Sequence, residues 1–197
     1  MIPIRLNANR NLISRTIVPV AYQEDIAPGS GSQFGLSDTL QSFFLSPARG
    51  KLIWGVGPAV LLPAATDTLL GTGRWSMGPT AVVLTQSKGW TVGMLANQLW
   101  SFAGDSMRSE YNTTYFQPFL SYTTREATTY SLSAEGSYNW LGHNLSMPLI
   151  ASVGQVAKLG GQLISVTVGV KYYVATVENG PRGFGGRLVL TLLFPKR

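Results

Sequence analysis

The chain has one histidine, His143, three residues before Ser146 in the run HNLS (143–146). A histidine base beside a serine is the pairing that nucleophilic catalysis needs. On a strand, residues three apart point to opposite faces, so these two do not form that pair there. No HExxH, GxSxG or P-loop spacing occurs. Glu135 has no acidic neighbour at strand spacing, so no carboxylate pair is available for acid–base work. There is no cysteine, hence no thiolate metal site and no disulfide framework. These residues argue against an enzyme and call for neither cofactor nor metal. A second set carries a different chemistry: Arg15, Glu135, Lys171, Tyr173 and Arg187. Each falls on the polar side of an alternating segment. Charges facing a narrow, poorly hydrated space usually pair, because an isolated charge there is costly. Rings of such charges select ions in pores.

The elements that must position them are strands. In TTYSLSAEGSYNW (128–140) one alternate set is Thr128, Tyr130, Leu132, Ala134, Gly136, Tyr138 and Trp140, mostly apolar with aromatics towards both ends, and the other is polar throughout. Residues 163–175 and 144–154 repeat the pattern. Helical spacing is absent, and period-two segments predict strands near 1–7, 11–22, 33–46, 51–63, 74–86, 89–103, 111–123, 127–139, 144–156, 162–175 and 184–194. No apolar run is long enough for a transmembrane helix. Charged residues are 12% of the chain, about half the share expected of a soluble domain. The net charge of +6 comes from singly scattered Lys and Arg, with no basic helix or cluster, which argues against nucleic acid.

Short turns (7–11, 47–51, 86–89, 124–127, 157–162) alternate with longer loops (23–33, 65–74, 104–110, 176–183), with 140–143 short out of turn. Glu24, Asp25, Asp67, Asp105, Glu110 and Glu178 sit in the long loops, whereas Arg10, Arg49, Lys51, Lys88, Arg125 and Lys158 sit in or beside the short turns. That is the pattern of outer-membrane barrels, with short periplasmic turns and long outer loops. In a soluble sandwich the apolar set would pack inward; in a membrane barrel it meets lipid and the polar set lines the lumen. Strand length favours the barrel, because soluble strands average about five or six residues. Trp54, Trp75, Trp90, Trp100, Tyr138 and Trp140 lie near strand ends, as in interfacial girdles. The expectation is therefore an all-β, antiparallel up-and-down transmembrane β-barrel. Tyr130, Leu132, Ala134, Ile164, Val166, Val168, Val170, Leu190 and Leu192 should face lipid. The last segment, GRLVLTLLF, puts Leu188, Leu190, Leu192 and Phe194 on one face and resembles the C-terminal signal read by the barrel-assembly machinery, with Pro195–Arg197 added after it.

Several long segments carry a family resemblance: NLISRTIVPV (11–20), PGSGSQFGLSDTLQSFFLSP (28–47), IWGVGPAVLLPAATDTLLGTGRWSMGPTAVVL (53–84), ANQLWSFAGD (96–105), FQPFLSYTT (116–124) and RLVLTLLFPK (187–196). Together they resemble the bacterial proteins grouped with the MetA-pathway of phenol degradation. That resemblance implies a Gram-negative outer-membrane β-barrel transporter of about twelve strands. It implies passage of small solutes, aromatic or hydrophobic ones among the candidates, and it transfers no site residue. Members of that family open with a signal peptide and further strands. This chain opens MIPIRLNANRNLIS with neither, and its odd count of about eleven strands conflicts with the even-numbered rule. The expectation is a single barrel domain over 1–197 that lacks an N-terminal strand. The expected partners are outer-membrane lipid, a small-molecule solute and the assembly machinery. A non-transporting structural barrel, or a soluble small-molecule-binding barrel, stays open as the alternative.

Overall fold

The computed structural model describes residues 2–24, 31–160, 162–177, 180 and 182–193. Phe194, the Pro195–Arg197 tail, Asp25 and Glu178 lie outside the described residues. The chain is all-β and antiparallel, with no helix among the described residues. Its strands are β1 (Ile2–Arg5), β2 (Arg10–Ile17), β3 (Val20–Glu24), β4 (Ser32–Leu36), β5 (Thr39–Pro47), β6 (Leu52–Leu62) and β7 (Arg74–Ser87). They continue as β8 (Trp90–Gly104), β9 (Asn112–Thr123), β10 (Thr128–Ala134), β11 (Gly136–Asn139), β12 (Asn144–Leu159), β13 (Gln162–Ala175) and β14 (Gly183–Leu193). One sheet runs in chain order, β1-β2-β5-β6-β7-β8-β9-β10-β12-β13-β14, with β11 pairing β9 and β12. Sequential antiparallel neighbours joined by hairpins give this up-and-down order.

Two predicted strands divide. The segments predicted at 11–22 and 33–46 each break, and their outer halves, β3 and β4, pair with each other in a separate two-stranded sheet. The break falls at Val18–Pro19 on one side and Ser37–Asp38 on the other. Pro19 has no N–H to give a ladder; its carbonyl instead accepts from the Ser37 amide at 2.9 Å. Asp38 turns its carboxylate onto Thr72, accepting from that residue's amide at 2.6 Å and its hydroxyl at 2.7 Å. The segment predicted at 127–139 is likewise interrupted, at Glu135, although the Glu135 amide still reaches the Pro148 carbonyl at 3.0 Å. Beside that point, between Met147 and Pro148, the β12–β13 register shifts. Proline inside a strand forces such an irregularity because it cannot donate to the ladder.

The turn between β7 and β8 is two residues, Lys88 (φ 50°) and Gly89 (φ 86°). Two successive positive φ angles are the signature of the hairpin turn whose twist matches its strands. His143 also has positive φ (49°) and is exposed in the turn before β12, so it is a turn residue, while Ser146 lies on the strand. The motif Trp-x-x-Gly-Pro occurs on two successive strands, as Trp54–Gly57–Pro58 and Trp75–Gly78–Pro79. A Cβ on Gly57 would overlap the Phe43 carbonyl oxygen, and one on Gly78 would overlap the Gln98 carbonyl oxygen. Neighbouring backbone occupies the space a side chain needs, which only glycine permits.

By backbone contacts the chain forms two compact units: Met1–Val83, Leu95–Tyr115 and Tyr138–Asn144; and Leu84–Met94, Phe116–Ser137 and Leu145–Arg197. In the first, Ser42, Ser46, Ser76, Thr80, Asn97 and Thr113 are buried beside Phe44, Leu95 and Leu99, while Phe43, Trp75, Met77 and Trp100 are exposed. In the second, Tyr130, Leu132, Val153, Val170 and Leu190 are exposed, with Val168 at 59% and Leu188 at 68%. Ala134, Ile164 and Val166 are half-buried, and the side chain of Leu192 is not among those described. Apolar residues thus dominate one face and point outward, and much of what is buried is small and polar. Soluble cores have the opposite arrangement.

Candidate functional site

The polar face of the second unit is built by strand register. Ser121, Ser131, Ser152, Gly169 and Arg187 stand in one row across β9, β10, β12, β13 and β14. Ser131 and Ser152 hydroxyls meet at 2.7 Å. The next row carries Phe119, Ser133, Ile150, Lys171 and Gly185. The one after carries Glu135, Pro148, Tyr173 and Gly183. Four of the expected site residues, Glu135, Lys171, Tyr173 and Arg187, therefore share this face. Arg15 belongs to the other unit, on β2 opposite the buried Ser42, and is itself engaged there.

Arg187 Nη1 donates to Glu135 Oε1 at 2.5 Å. Gln117 Nε2 donates to the same oxygen at 3.2 Å. The register makes this pair informative. From Glu135 to Arg187 is three strand spacings, about 14 Å, and four residues along the strand, about 13 Å. Two side chains cannot bridge that diagonal over a flat sheet. The pair closes only because the sheet of this unit bends toward the polar face, leaving the apolar set on the convex side. Hydrogen bonds do not pin this geometry alone: Gly169 is buried, and a Cβ there would lie 2.8 Å from the Ser152 Cβ. Small residues on the inner side of a bend let adjacent strands close up.

Lys171 is held differently. Its Nζ lies 5.5 Å from the Tyr173 ring centroid, within cation–π range. Its stem runs over Gly185, whose missing side chain makes the room: a Cβ there would be 2.7 Å from the Lys171 Cε. Among the described residues no carboxylate pairs with this ammonium. The site thus holds two cations and one anion, with the anion committed to Arg187. The alternation placed these four residues on one face. It could not give the Glu135–Arg187 contact, which depends on bend and stagger, nor the role of Gln117.

A second polar cluster, in the first unit, carries no comparable signal in the sequence. Arg108 donates to the carbonyls of Thr68 at 2.5 Å, Thr72 at 3.3 Å and Gly71, and its own carbonyl accepts from Arg74 Nη2 at 2.8 Å. This clasp ties the 63–73 loop to the 105–111 loop around a cavity of about 200 Å³ lined by Asp38, Asp67 and Asp105. Burial pushes the Tyr111 phenol above its usual range, a hydrogen bond to Thr113 opposes this, and the Asp38 charge adds to the rise. Among the described residues no three His, Cys, Asp or Glu side chains are arranged to hold a metal ion. Comparison of the chain with family models, curated proteins and solved structures gives no match.

Proposed function

We propose that the chain forms the wall of an outer-membrane β-barrel channel for small solutes, with a preference for anions set at Lys171. The observation that carries this reading is the Glu135–Arg187 pair. It supports reading the polar face as the inside of the bend, with valines, leucines and tyrosines exposed on the other side. A convex apolar face suits lipid, and a concave polar face suits a water-filled path. The same inversion disfavours a soluble small-molecule-binding barrel, which would expose its apolar side to water.

The charge bookkeeping then names the selective residue. Glu135 offsets Arg187 at close range, so the field left on the path is chiefly that of the Lys171 ammonium, beside the face of Tyr173. An uncompensated cation beside an aromatic ring favours small anions, aromatic carboxylates among them. Planar-bilayer recording in a salt gradient tests this. The wild-type reversal potential should show anion preference, and Lys171→Glu with Arg187→Glu should reverse it. An unchanged permeability ratio would make these groups structural, and absence of any conductance would favour a closed structural barrel. On detergent gels, unboiled and boiled samples should migrate differently; identical mobility would count against the membrane barrel itself.

A further inference from the structure

On the convex face of the second unit a groove of about 480 Å³ crosses the strands. Its depth has a simple origin. Ala151 stands in register between Leu132 and Val170, while the adjacent row is Tyr130, Val153 and Val168. One small side chain among large ones leaves a trough. At the β8–β9 end the trough is closed by Trp90 and Tyr122, whose ring centroids are 5.0 Å apart.

That end is also where cations gather. Lys88 is two residues before Trp90, and Arg125 is three after Tyr122. Their turns are pinned together, the Thr123 amide donating to the Gly89 carbonyl at 2.8 Å. The next hairpin, carrying Lys158, is held alongside by the Val156 amide on the Ala127 carbonyl at 3.2 Å. Glu126 lies in the Arg125 turn, so the cluster of four charges is net positive. Among the described residues none of the three cations has a carboxylate partner within ion-pair distance.

We propose that this face seats an anionic phospholipid, with an acyl chain in the trough over Ala151 and the phosphate between Lys88 and Arg125. Apolar trough, aromatic pair and the turns that carry the cations succeed one another toward the hairpin edge, which is the order of chain, interface and headgroup in a lipid. The proposal rests on the membrane reading and goes beyond it, because a barrel wall needs no particular lipid.

The test uses the full chain folded in zwitterionic detergent and titrated with phosphatidylglycerol or phosphatidylcholine bearing brominated chains, read by tryptophan quenching. Phosphatidylglycerol should bind about tenfold or more tightly, the scale two interfacial cations supply. Lys88→Gln with Arg125→Gln should bring the two lipids to within about twofold. Ala151→Phe, which fills the trough without adding a tryptophan and leaves the cations, should weaken both lipids together. Heat-modifiable mobility confirms that each variant is folded. Equal binding of the two lipids by the wild type, or a preference surviving in the double variant, overturns the lipid site and leaves the membrane reading standing. If neither lipid quenches the folded chain, the membrane reading fails and this proposal falls with it.

Discussion

An arginine placed at Val168 separates a lipid-facing surface from a watery one. β13 runs from Gln162 to Ala175, 14 residues. At about 3.3 Å per residue and a tilt of about 40°, it covers about 35 Å along the membrane normal, more than the apolar band of about 25 Å. Its midpoint falls between Val168 and Gly169. Val168 is 59% exposed on the convex face, opposite Leu188 on β14 and Val153 on β12. In lipid, Val168→Arg should cost about 2–4 kcal/mol of folding stability. Val174 lies on the same face six residues on, about 15 Å from the midplane by the same geometry. Arginine there should cost about 0–1 kcal/mol. On a water-exposed sheet both substitutions would fall within about 0.5 kcal/mol of zero. Reversible guanidinium titration of the chain in lipid vesicles, followed by tryptophan fluorescence, measures the difference. Equal costs at 168 and 174, or no cost at 168, would refute the assignment of the convex face to lipid.

Other expected outcomes follow from the same geometry. Glu135→Gln should raise anion preference, because it releases Arg187 into the path, whereas Lys171→Gln should lower it; single-channel reversal potentials read both, and a common direction would contradict the charge assignment. Since both partners of the Glu135–Arg187 pair are partly exposed, the stability change from Glu135→Gln should stay under about 1 kcal/mol. Gly57→Ala and Gly78→Ala push a methyl into a neighbouring carbonyl and should each cost about 1–3 kcal/mol in denaturant titration, far more than Gly186→Ala, where the space is open. Arg108→Ala removes three bonds to loop carbonyls and should speed proteolysis within 63–73 by about tenfold or more at unchanged global stability.

Strand positions were legible because period-two alternation is long and uninterrupted over most of the chain. Arg74–Ser87, Trp90–Gly104 and Gln162–Ala175 fall within a residue or so of the predicted spans. The breaks in 11–22 and 33–46 share one cause. The break that frees β3 and β4 does not disturb alternation, since Pro19 and Asp38 act through partners far along the chain, Ser37 and Thr72. A local pattern cannot register a side chain committed to a distant loop. Asp38 passed as one more strand residue, and the Arg108 clasp was invisible because its acceptors are backbone carbonyls. Of the candidate site, parity gave Glu135, Lys171, Tyr173 and Arg187 their common face. It said nothing of Gln117 or of the glycines that make room.

What alternation leaves undecided is the sign of the bend. A strip with one apolar and one polar face can curl either way. Curled onto its apolar side it is half of a soluble sandwich, and curled onto its polar side it is the wall of a channel. The two states differ in which face loses area. A concave face must carry small residues or side chains that pair, because its rows converge; a convex face can carry bulk, because its rows diverge. In the second unit the converging rows hold Ser131, Ser152, Gly169 and Gly185 beside Phe119 and Ile150, and Glu135 and Arg187 are joined across three strand spacings. The diverging rows hold Tyr130, Leu132, Val153, Val168 and Leu188. Reversing the bend would crowd that bulk and pull Glu135 from Arg187, stranding both charges on a stretched face. Sequence bulk and ion pairing thus select the same curvature, with the polar rows inside the bend and the apolar rows outside it.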